Sequence, residues 1–148
     1  MGMVLGLRIS AKGEYALRAL LELSLNNHKR GVTSIQEIAQ RQDIPLKFLE
    51  QILLSMKKAG LIESKRGNTG GYYLLKQPEE ITVGEVLKIT DGPVMTLACI
   101  NNPAGCERQT RCHFYPLWQE VNSTVERIIY STSFADLCGQ PQGYMYHI

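Results

Sequence analysis

Between residues 33 and 75 the chain spells out two short helices and then a glycine-rich hairpin, an order that few folds accommodate. Thr33-Ser34-Ile35-Gln36-Glu37 offers two overlapping capping boxes, Thr33 with Gln36 or Ser34 with Glu37, ahead of Ile35, Ile38 and Ala39 on one face. A short helix to about residue 42 is predicted. Asp43-Ile44-Pro45 breaks that run and restarts it, because proline suits a first helical position. Leu46, Leu49, Ile52, Leu53 and Met56 then continue at three- and four-residue spacing until Gly60, a natural C-cap. Residues 61–65 and 72–75 read as strands around Arg66-Gly67-Asn68-Thr69-Gly70-Gly71. Two helices joined by about three residues, with a hairpin directly behind them, have the layout of a helix-turn-helix with a wing.

Helical periodicity also flanks this unit. Residues 10–25 carry Leu17, Leu20 and Leu21 with Ala16, Ala19 and Leu23 widening the stripe, and Thr82-Val83-Gly84-Glu85 opens a short helix that Asp91-Gly92-Pro93 closes. From His113 to about residue 130, Phe114, Leu117, Trp118, Val121, Val125, Ile128 and Ile129 form a stripe of large side chains that needs a partner to cover it. The fold class expected is mainly α with a small β wing, a winged helix-turn-helix domain plus a long C-terminal dimerisation helix. We divide the chain into a head at residues 7–80, a segment at 81–135 holding the loop 99–112 and the long helix, and a flexible tail at 136–148.

The overall charge of +2 hides an asymmetry. Residues 1–76 hold 12 basic and 6 acidic side chains, net +6, whereas residues 77–148 hold 4 and 8, net −4. The basic half contains the helix-turn-helix, so a polyanion is the partner to expect there. No stretch is long and apolar enough to span a bilayer, since Arg18 and Glu22 interrupt the most hydrophobic segment, and the start of the chain lacks a basic signal-peptide region. No membrane partner and a cytoplasmic location are expected. No Ser-His-Asp set, phosphate loop or paired-carboxylate pocket is in view, and the histidines at 28, 113 and 147 are scattered, so an enzyme is not expected.

Cys99, Cys106 and Cys112 fall within 14 residues in the acidic half, with Asn101-Asn102-Pro103-Ala104-Gly105 between them. In a cytosolic chain such a cluster points to metal or redox chemistry rather than a disulfide scaffold. Spacings of six and five intervening residues are long for structural zinc, and soft thiolates on a flexible loop suit an iron-sulfur cluster. Zinc, a disulfide or unused thiols remain as alternatives, and Cys138 has no assigned role.

Lys12-Gly13-Glu14-Tyr15-Ala16-Leu17, Phe48-Leu49-Glu50-Gln51, Gly60-Leu61-Ile62, Arg66-Gly67 and Gly70-Gly71-Tyr72 together resemble the Rrf2 family of bacterial transcription regulators, over about residues 7–135. The resemblance implies a DNA-binding head, a dimerisation helix and, in its metal-sensing branch, an iron-sulfur cluster (2Fe-2S or 4Fe-4S) on three loop cysteines matching Cys99, Cys106 and Cys112. It leaves a fourth position open. Tyr115 stands where one family pattern has histidine, so Glu14 of the opposite subunit is the favoured fourth ligand and His113 the second choice.

For double-stranded DNA, Lys47, Glu50 and Gln51 on the first turns of the recognition helix are placed to meet phosphates or base edges, and Arg66 at the wing tip to enter a minor groove. Lys57, Ser10 and Lys12 are candidate phosphate contacts. A head this small calls for a two-fold homodimer on a palindromic operator, joined through Leu117, Trp118, Val121, Val125 and Ile128. Two rivals stay open: a cluster-free regulator acting through thiol or disulfide chemistry, a metabolite or a partner protein, and a zinc or iron-sulfur interaction or electron-transfer protein. The last leaves the wing unexplained.

Overall fold

Of the two capping boxes open to the second helix, the chain uses the later one. Ser34 accepts from the Glu37 backbone N–H and Glu37 reaches back to the Ser34 N–H, opening α2 (Ile35–Gln42). Thr33 is instead buried, exchanging backbone hydrogen bonds with Tyr72 of the hairpin at 2.9 and 2.8 Å. The computed structural model describes residues 8–27, 31–94, 97–102 and 106–139. In chain order α1 (Ala11–Asn26) precedes α2, followed by α3 (Leu46–Lys58), β1 (Ile62–Lys65), β2 (Gly71–Leu74), α4 (Val83–Thr90), α5 (Ala98–Asn101), α6 (Tyr115–Ser131) and α7 (Phe134–Cys138). Single 3₁₀ turns sit at Pro78–Glu80 and Gln109–Arg111.

This is the expected class, mainly helical with a two-stranded antiparallel sheet. Ile62 pairs with Leu74 and Lys65 with Gly71, so the hairpin closes around Arg66 to Gly70. Gly60 follows α3 with a φ of +79°, where a left-handed residue lets the chain turn into β1. Asp43 takes the same region at φ +52°, ending α2 and aiming Pro45 into α3. Thr82 caps α4 by accepting from the Glu85 N–H, but the Glu85 carboxylate pairs with Lys76 at 3.1 Å rather than completing the expected box.

One apolar cluster holds the head together, with Leu20, Ile38, Leu49, Leu53, Met56, Leu61 and Ile62 at most 1% exposed. Ile81, Val86 and Phe134 enter the same cluster, so the core draws on both sides of residue 80. Phe134 belongs to α7, which packs against α1, and this corrects the tail expected from residue 136. Residues 136–138 are helical because Ser133 and Asp136 form a capping box and Phe134 is anchored in the core. Residues 140–148 lie outside the described residues. The loop expected at 99–112 is likewise only partly irregular, since α5 and the 3₁₀ turn occupy its ends; residues 103–105 lie outside the described residues.

Candidate nucleic-acid interface and thiol site

Helix α3 buries Leu49, Ile52, Leu53 and Met56, and this rotation turns Lys47, Glu50 and Gln51 outward together. All three side chains are exposed, and among the described residues none makes a hydrogen bond or ion pair. Arg66 is exposed on the hairpin and equally unpaired. Phe48, 53% exposed on the same helix, was not singled out as a site residue from sequence; its ring lies 6.2 Å from that of Tyr15.

Lys57 behaves differently from its neighbours. Its Nζ lies 2.9 Å from Glu63 Oε1 and donates to Ser64 Oγ at 2.7 Å, which bolts α3 to β1. The Lys57 hydrogen bond, with the Ser64 N–H, holds the Glu63 carboxyl below its usual range. The ammonium expected at a phosphate is therefore committed to the wing.

Ser10 is also spoken for. Its Oγ accepts from the Gly13 N–H at 3.0 Å as the cap of α1 and donates to Asp91 Oδ1 at 2.5 Å, while its N–H donates to Asp91 Oδ2 at 2.8 Å. Burial alone would raise the Asp91 carboxyl, but these bonds, Thr90 and the charge of Lys12 bring it below its ordinary range. The anionic group at this helix start comes from the chain itself. Lys12 stays exposed beside it.

Two further networks tie α1 to the helix-turn-helix. Arg18 donates to Glu14 Oε1 through one nitrogen and to the Gln42 carbonyl at 3.0 Å through the other, with its guanidinium 5.3 Å from the Tyr15 ring centre. Glu22, 5% exposed, accepts from Arg41 at 2.9 Å, Gln42 at 2.8 Å and Asn26 at 3.0 Å. Burial pushes the Glu22 carboxyl up, and these donors outweigh it and leave it lowered. Neither network was legible in the sequence.

The three loop cysteines are placed unequally. Cys99 is buried beside Leu97, and Cys106, Trp118, Val121 and Val125 pack against that pair. Cys112 is half-buried just before α6, where its carbonyl accepts from the Tyr115 N–H at 3.3 Å, and His113 is exposed. Among the described residues no three Cys, His, Asp or Glu side chains converge within one chain. Glu14 lies on α1, engaged by Arg18. Two of the soft donors, Cys99 and Cys106, nevertheless share one small apolar cluster with Trp118, whose Nε1–H is buried without a hydrogen-bond partner among the described residues. Cys138 stands apart, its thiol pushed up by burial and by Glu79.

Helix α6 buries no residue completely. The predicted stripe divides, with Trp118, Val121 and Val125 turned toward the Leu97–Cys99 pair, and Leu117 and Ile128 outward at 49% and 55% exposure. Among the described residues no helix is long and apolar enough to cross a membrane.

Residues 9–140 match the family profile described as Rrf2, iron-dependent transcriptional regulator. The chain is 32% identical over 146 residues to the HTH-type transcriptional regulator CymR of Bacillus subtilis, covering 96% of this chain and 100% of that one. It is 35% identical over 131 residues to the HTH-type transcriptional regulator IscR of Aliivibrio salmonicida, covering 88% and 77%. The solved structure of CymR, described as the global cysteine regulator of B. subtilis, superposes with a TM-score of 0.75 at 33% identity, covering 90% of this chain and 97% of that one.

Proposed function

The chain belongs to the Rrf2 family of iron-dependent transcriptional regulators, and from that premise we propose a homodimer whose affinity for a palindromic DNA operator is set by an iron-sulfur cluster on Cys99, Cys106 and Cys112. Its relatives are transcriptional regulators, so it is a DNA-binding regulator and not an enzyme. The observation that carries the DNA reading is that Lys47, Glu50 and Gln51 on α3 and Arg66 on the wing are all exposed and, among the described residues, unpaired. A helix presenting such side chains suits the major groove, where glutamate accepts from cytosine N4 and glutamine pairs with adenine.

When bound, a cluster would supply a group whose charge and ligation change on oxidation, nitrosylation or loss. The chain's own residues supply the route outward. α5 carries Cys99 and the segment between α5 and α6 carries Cys106 and Cys112, Asp91 fastens the end of α4 to the cap of α1, and Arg18 fastens α1 to the Gln42 carbonyl ahead of α3. Glu14 of the partner subunit as fourth ligand would compete with its own Arg18, linking ligation to that turn; His113 is the second choice.

The test is operator binding by wild type and Cys106→Ala, each with and without anaerobic reconstitution. The reading requires the wild-type affinity to shift on reconstitution and the variant's to stay fixed; identical behaviour of the two proteins overturns it. A cluster-free regulator working by thiol oxidation is the second reading. It is favoured by the failure of the three cysteines to converge among the described residues and by the likeness to a protein described as a cysteine regulator.

A further inference from the structure

Phe48 stands in the first turn of α3 with 53% of its surface exposed, between Lys47 and the Glu50–Gln51 pair. Residues three and four apart are neighbours on a helix surface, so Gln51 lies next to both Lys47 and Phe48. The turn therefore presents an ammonium, an amide and a bare aromatic ring together. The ring is held in place. It lies 6.2 Å from the Tyr15 ring, tilted by 37°, within the range of a favourable aromatic pair. Tyr15 packs against the core of the head and carries the Arg18 guanidinium 5.3 Å from its ring centre, and Arg18 is fastened to the Gln42 carbonyl at 3.0 Å. Helix α1 thus supports one side of Phe48 and leaves about half of the residue open to solvent.

We propose that Phe48 reads a thymine of the operator by contact with its C5 methyl group, and so sets sequence choice alongside Glu50 and Gln51. This rests on the reading of α3 as the helix that enters the major groove. The N-terminal residues of such a helix meet base edges, and a phenyl ring has no donor or acceptor for a phosphate or for the polar atoms of a base. The thymine methyl is the apolar group that base pairs present in that groove. Contact removes both apolar surfaces from water, and a ring already held by Tyr15 gives up little freedom in making it. Gln51 suits adenine N6 and N7, so two neighbours on one face would both select A·T pairs. Lys47 attracts the phosphates without regard to sequence, whereas Phe48 contributes sequence choice without salt dependence.

The experiment uses the full chain, purified without oxygen, and a DNA duplex that the wild type selects from a random-sequence pool. Each thymine of one half-site is replaced singly by uracil, which keeps the base pairing and removes only the methyl group. Dissociation constants are then measured for wild type, Phe48→Ala and Phe48→Gln. The expected result is a thymine whose replacement weakens wild-type binding by about three- to tenfold, with no loss at that position in either variant. The slope of log affinity against log salt should be the same in all three proteins. Should Phe48→Ala fail to fold, Phe48→Gln, which keeps a helix-favouring side chain at this exposed position, decides. A selected half-site without thymine, a wild type indifferent to every uracil, or variants that keep the wild-type preference for thymine overturn the assignment of Phe48 and leave α3 as the reading helix. Wild type that selects no sequence from the pool overturns both.

Discussion

The Asp91 carboxylate grips Ser10 by both its backbone N–H and its hydroxyl, joining residues 81 positions apart. The last turn of α4, from which the chain runs on to the cysteine segment, is thus fixed to the cap of the first helix of the DNA-binding head. Asp91→Ala is expected to cost about 1–3 kcal/mol, since the bonds involve an ionised acceptor and the cap of α1 loses its support. A lower denaturant midpoint at unchanged slope is the readout. Gly13→Ala offers an independent check. Helix propensity alone favours alanine by about 1 kcal/mol, yet its Cβ would lie 2.7 Å from Asp91 Oδ2. The variant should therefore lose stability rather than gain it.

Acid should loosen the molecule through the lowered carboxyls of Glu22 and Asp91. A group whose folded pKa is depressed contributes stability above its unfolded pKa and loses it as pH falls toward the folded one. Unfolding free energy should hold steady above about pH 5 and drop below about pH 4. Glu22→Gln should flatten that drop while lowering stability at neutral pH, because Arg41 and Gln42 lose a charged acceptor. A drop of wild-type steepness in Glu22→Gln would show that other groups carry it.

The lysines of α3 should separate in their salt dependence. Lys47 has no partner among the described residues, so Lys47→Ala should weaken binding and reduce the slope of log affinity against log salt by about 1. Lys57 is paired with Glu63, so Lys57→Ala should leave that slope unchanged and act through a looser wing. Glu50→Ala should relax discrimination at a single base position by about 1–3 kcal/mol, read from binding to a set of singly substituted operators.

Leu117 and Ile128 leave an apolar face of α6 open. If a second copy covers it, Ile128→Glu should shift the sedimenting species from dimer to monomer and weaken operator binding with it, since one head alone covers too little DNA. A stable dimer in that variant would place the interface elsewhere.

Helices α1 to α4, the hairpin and α6 were legible because each combines a periodic apolar face with a local stop or start signal, such as Ser34 with Glu37 or Gly60 after Lys58. Helix α7 was missed because five residues are too few for periodicity to register, although the Ser133–Asp136 box was a readable sign. The contacts that decide which charges are free could not be read at all. Nothing in the local sequence says that Lys57 meets Glu63, that Ser10 meets Asp91 or that Arg18 reaches Gln42, because these pairings exist only once α1, α3 and α4 have packed. The same holds for the thiols, since spacing places them in one segment but not at one point.

Whether Cys99, Cys106 and Cys112 hold iron and sulfide is decided by analysing protein purified without oxygen for iron, acid-labile sulfide and visible absorption per chain. The account predicts a brown protein with both elements bound, and loss of both in Cys106→Ala. Colourless protein that resists anaerobic reconstitution would contradict it and leave a winged-helix regulator governed by its thiols alone.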